Sequence, residues 1–158
     1  MPGFLRTASE VLARPFRGEG LLELITILLL GAGSLLVLAD FLALFRIEAA
    51  GLPVEDQSGR DQHAYAQVVI GVAVIGASLL AHTSRQWPPA GAVVVLALIS
   101  LAITLIGDLP EATRSDLVSG ARIAEASPAV GFWLEIVGAG VMFACGAAMA
   151  FLLRRRRR

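Results

Sequence analysis

Four polar side chains stand inside long apolar runs of this 158-residue chain: Asp40, Gln67, Thr104 and Glu135. Asp40 lies five residues before Phe45, Gln67 three after Ala64, Thr104 four before Asp108 and Glu135 six after Ala129, each counted from an end of its run. At ~1.5 Å rise per helical residue, all four sit roughly 5–9 Å in from the same side. One polar group per helix at one depth makes a layer. Two acids facing each other where water is scarce do not easily both ionise. Asp40 and Glu135 are therefore read as sharing a proton or holding a cation, with Gln67 and Thr104 beside them. The plainer reading of the same residues is structural. Buried acids hold helices together through hydrogen bonds, or pair with Arg46 or Arg60 at the loop edge.

Such a layer needs helices, and the composition needs a membrane. Hydrophobic residues make up 56% and charged residues 16% of the chain, against ~25% charged in ordinary soluble domains. A soluble domain of this size has too little interior to hide so much apolar surface. The expected fold class is all-α: an integral membrane bundle of four transmembrane helices, at about 20–45, 64–82, 90–107 and 129–153. The last run has 25 residues, about 37 Å of helix, enough to cross ~30 Å of hydrocarbon with some tilt. The first is too long for the core of a cleaved signal, which is ~7–15 residues.

Each span carries a stripe of small or polar residues at steps of three and four. These are Thr26, Leu30, Gly33, Val37 and Asp40; Gln67, Gly71, Val74, Ser78 and His82; Ala90, Val93, Ala97, Ser100 and Thr104; and Gly131, Glu135, Gly138, Met142, Cys145 and Met149. Such steps place side chains on one face of a helix. In lipid that face turns to the neighbouring helices, where small residues admit close approach and polar ones hydrogen-bond.

Residues 1–19 alternate apolar and charged positions at helical spacing and predict an amphipathic helix lying in the headgroup plane. The turn HTSRQWPP makes the second and third spans an antiparallel hairpin. Residues 46–63 and 108–128 read as polar loops, the second with a short helix over 112–126. All 13 basic residues are arginine, and with abundant Ala, Gly, Leu and Val this composition suggests a bacterial source. Nine arginines (Arg6, Arg14, Arg17, Arg85 and Arg154–Arg158) fall on one side and four (Arg46, Arg60, Arg114, Arg122) on the other. The arginine-rich side belongs in the cytoplasm. The expectation is a cell-membrane protein with both termini cytoplasmic and both long loops outside.

Little in the chain suggests catalysis. Ser34, Ser78 and Ser100 have no histidine at comparable depth, His63 and His82 fall on opposite sides, and the single cysteine, Cys145, lies within the last span. No catalytic residue, cofactor or metal is assigned. The tail Arg154, Arg155, Arg156, Arg157 and Arg158 reads as a topology anchor and a contact for lipid headgroups. Without a folded basic face it does not suggest nucleic acid. The layout of four spans and two outer loops is similar to that of claudins and tetraspanins. Those families rely on loop cysteines, which this chain lacks, and no family is assigned. The expected role is a non-enzymatic accessory or scaffolding subunit that meets the bilayer and other membrane proteins or its own copies. The alternative is an oligomeric transporter or channel subunit using Asp40 and Glu135 for a proton or cation.

Overall fold

The computed structural model describes residues 18–49, 52–59, 62, 65–113, 117–119 and 122–156. Most of the expected N-terminal amphipathic helix, together with His63, Arg157 and Arg158, lies outside them. Four long helices form the body: α1 (Gly18–Ala39), α2 (Ala66–Ser84), α3 (Trp87–Ala102) and α5 (Val130–Arg155). α3 runs on through a π-helical stretch, Ile103–Asp108, into the single turn α4 (Leu109–Ala112). Four segments are long and apolar enough to cross a membrane: Gly20–Ala39, Ala66–Ser84, Trp87–Ala112 and Val130–Arg155. Only 28–39% of each apolar window is buried inside the bundle, so most of each span faces outward, as helices suited to lipid do. This is the expected membrane bundle of a multi-pass protein. The helices pack as a ring, α1 against α2 and α5, and α3 against α2 and α5.

Local chemistry sets the helix ends. Pro88 and Pro89 occupy the first turn of α3, where a missing N–H costs nothing. Arg85 ends α2 in the left-handed conformation, φ 54°, so that the chain reverses within two residues. The third span was expected to stop at Gly107 but continues to Ala112. Pro110 would clash with the carbonyl of Ile106 in a straight α-helix. The helix instead widens just before it, and Leu109 N–H reaches back five residues to the carbonyl of Thr104.

The two long loops pair with each other. β1 (Ala43–Ala49), β2 (Leu52–Ser58), β3 (Leu117–Ser119) and β4 (Arg122–Pro128) form an antiparallel sheet in the order β2-β1-β4-β3. This corrects two expectations. Residues 43–45 leave the first span for a strand, and 117–119 and 122–128 are strands rather than a short helix. A register slip lets β1 pack on the bundle. Between Ala43 and Phe45 the strand gains one residue on β2, so consecutive Leu44 and Phe45 are both buried. They form a small core with Ala112 and Phe132, flanked by Ile47, Ala126 and Ile136. Ala129 N–H donates to the carbonyl of Leu44 at 2.8 Å, joining the start of α5 to the sheet. Arg46 and Asp56 pair across β1 and β2 at 3.0 Å, both half-exposed, worth about 0–1 kcal/mol there.

Candidate functional site: a hydrogen-bonded layer beneath the sheet

Three of the four expected side chains meet. Gln67 of α2 donates from Nε2 to Thr104 Oγ1 at 3.3 Å, and Thr104 Oγ1 lies 3.1 Å from Glu135 Oε2 of α5. Ser100 joins them, donating to Gln67 Oε1 at 2.8 Å. All four side chains are fully buried. Their helices put them there by spacing: Ser100 on α3 and Thr104 in the π-helical stretch that continues it are four residues apart, and Gln67 begins the buried stripe of α2.

Thr104 is the node of this layer. Its hydroxyl carries one hydrogen and two lone pairs. Gln67 occupies one lone pair. The single hydrogen has two acceptors in reach, the Ser100 carbonyl at 3.1 Å and Glu135 Oε2. If the carbonyl takes it, Glu135 must itself donate, as a carboxylic acid. If Glu135 takes it, Oε2 is the acceptor, in either protonation state of the carboxyl.

The structure places Asp40 nearer the sheet. α1 and α5 are antiparallel: a Cβ on Gly131 would lie 3.1 Å from the Ala39 carbonyl, and one on Gly138 would lie 3.3 Å from that of Ala32. Glu135, midway between the two glycines, is therefore level with Leu36. Asp40 is four residues further on, about 6 Å toward the sheet. It is fully buried at the end of α1, where the chain returning from β2 passes so close that a Cβ on Gly59 would stand 2.8 Å from Asp40 Oδ1. At the level of Glu135, α1 contributes leucine.

Two features were not read from the sequence. Asp108 falls in the expected polar loop 108–128, yet it is fully buried one turn beyond Thr104. The signal was available in its i, i+4 spacing from Thr104 but was masked by the assumed helix end. Near the other end of the bundle Thr26 Oγ1 lies 3.2 Å from His82 Nδ1, linking α1 to α2. Thr26 also donates to the Leu22 carbonyl at 2.7 Å. With that hydrogen committed, His82 Nδ1 is the donor in the pair. Between the two polar contacts the interior is apolar, built from Leu29, Val74, Val93, Ala97, Ala139 and Met142. Ser78, within this zone, turns its hydroxyl onto the Val74 carbonyl of its own helix at 2.6 Å. Arg154 and Arg155 end α5 and Arg156 caps it, all exposed.

Fold and site together define a class: a four-span helical membrane protein whose two longer loops combine into one antiparallel sheet over a buried polar layer. No family model matches the chain, and neither does any curated protein or solved structure.

Proposed function

We propose that this protein is a non-enzymatic accessory or scaffolding subunit of a bacterial cell membrane, holding its sheet at the outer surface for other membrane proteins. The observation that carries this reading is how the polar layer is used. Gln67, Ser100, Thr104 and Glu135 hydrogen-bond to one another and tie α2, α3 and α5 together directly beneath the sheet. Beyond them the bundle closes with packed Leu29, Val74 and Met142. The layer thus works as a clamp that fixes a folded surface to the bundle, as expected of a part that positions others. A second reading, transport of a proton or cation, is favoured by the burial of three acids, Asp40, Asp108 and Glu135, in the sheet-end part of the bundle. Four helices are few for a private path, so transport would need a multimer.

One experiment separates the two. The purified chain is sized in detergent and reconstituted into liposomes under a proton or a sodium gradient. Scaffolding predicts leakage equal to that of empty liposomes, in wild type and in Glu135→Gln alike. Flux in wild type that vanishes in Glu135→Gln would replace scaffolding by transport. Gln at 135 offers Thr104 an N–H donor, so the fold should survive the test.

The orientation rests on the arginine asymmetry. Cysteines placed singly at Asp56 and at Arg156, both exposed, in a Cys145→Ala background, should differ in intact cells. A membrane-impermeant maleimide should label position 56 at once and position 156 only after permeabilisation. The opposite pattern would invert the topology.

A further inference from the structure

The end of the bundle away from the sheet carries a surface that the polar layer does not use. Arg85 in the α2–α3 turn and Arg154, Arg155 and Arg156 at the end of α5 are all exposed there, and the sequence adds Arg157 and Arg158. Two exposed aromatics stand just inside them, Trp87 at 43% and Phe151 at 54% relative exposure. They share a depth. α3 and α5 are antiparallel with Gly146 against Val93, so Trp87, six residues earlier, comes level with Leu152. Exposed aromatics at one depth are how a membrane protein marks the water–lipid boundary. The guanidinium of Arg155 lies 4.3 Å above the Phe151 ring. This stack fixes a long, mobile side chain at that boundary and leaves the guanidinium edges for acceptors.

We infer that this end is a binding surface for anionic phospholipid headgroups, with Arg85, Arg154, Arg155 and Arg156 taking phosphate oxygens and Trp87 and Phe151 setting the depth. Guanidinium groups suit phosphate because two parallel N–H donors match two oxygens. Each arginine near a charged lipid surface contributes about fivefold in affinity, the equivalent of ~1 kcal/mol.

The test uses the full chain purified in detergent, with phosphatidylglycerol and phosphatidylcholine of identical acyl chains titrated in and bound lipid counted by native mass spectrometry. Phosphatidylglycerol should bind preferentially, and salt should erode the preference by screening. The triple substitution Arg154→Gln, Arg155→Gln, Arg156→Gln should lower phosphatidylglycerol affinity about a hundredfold and leave phosphatidylcholine unchanged. Arg46→Gln, at the sheet end, should change neither. Should the triple variant fail to fold, Arg155→Gln alone leaves four of the five tail arginines and should weaken binding about fivefold. Equal binding of the two lipids would overturn the inference. So would an unchanged preference in the arginine variants, or displacement of the lipid by inorganic phosphate well beyond that caused by sodium chloride at equal ionic strength, which would mark a site for soluble anions.

Discussion

Thr104→Val is expected to cost about 1–3 kcal/mol of bundle stability, although valine and threonine have nearly the same shape. The methyl that replaces Oγ1 offers nothing to Gln67 Nε2 or to Glu135 Oε2, and both groups are fully buried. A buried polar group without its partner pays its desolvation in full, which is why one hydroxyl matters here. Thr104→Ser, which keeps the oxygen, should recover most of the loss. A double-mutant cycle isolates the link to α5. Removing the hydroxyl should cost less when Glu135 is already leucine, giving an interaction energy of about 0.5–1.5 kcal/mol. Unfolding by dodecyl sulfate in mixed micelles, followed by far-UV circular dichroism, provides the measurement. Strict additivity of Thr104→Val and Glu135→Leu would show that the two side chains do not act as a unit and would remove the clamp from the proposed function.

The stripes that carry this layer were legible because lipid enforces them. All five residues marked on the third span (Ala90, Val93, Ala97, Ser100 and Thr104) are buried, as period and polarity required. On α1 the marked stripe is slightly rotated: Leu30 and Val37 are half-buried, while their neighbours Leu29 and Leu36 are buried. A run of leucines gives no polar contrast with which to fix the angle. The apolar stretch after Asp40 misled for a related reason. Phe41 to Phe45 suit a helix continuing through lipid as well as a turn and strand packing on the bundle's end, and hydrophobicity alone does not choose. The choice came from far away in sequence. Glu48 pairs with Glu125, and Phe45 with Pro128, contacts that leave no trace in either loop read alone. Counting back from Phe45 puts Asp40 in the common layer. With the helix actually ending at Ala39, the same residue sits a turn closer to the sheet.

The second large effect is expected at Gly71, where valine should cost ~3 kcal/mol or more, because overpacking against backbone is hard to relieve. A Cβ there would stand 2.6 Å from the carbonyl oxygen of Gly33 and 2.9 Å from Val37 Cγ2. The first of these neighbours is main chain and cannot swing aside. The reverse contact is nearly as close, 2.9 Å from a Cβ on Gly33 to the Gly71 carbonyl. α1 and α2 therefore meet backbone to backbone, the kind of approach that stabilises helix pairs where no hydrophobic force acts between them. Pushing the helices apart also strains the Thr26–His82 bond between the same two helices. Gly31 and Gly76 supply the contrast. A Cβ at either meets nothing within 4 Å, so Gly31→Ala and Gly76→Ala should be neutral or, through alanine's higher helix propensity, stabilising by up to ~1 kcal/mol. Folding yield and the same dodecyl sulfate titration rank the four variants Gly31→Ala, Gly76→Ala, Gly33→Val and Gly71→Val. If the last two unfold no more easily than the first two, the α1–α2 contact is not the backbone seam described, because a seam that tight cannot admit two methyl groups unnoticed.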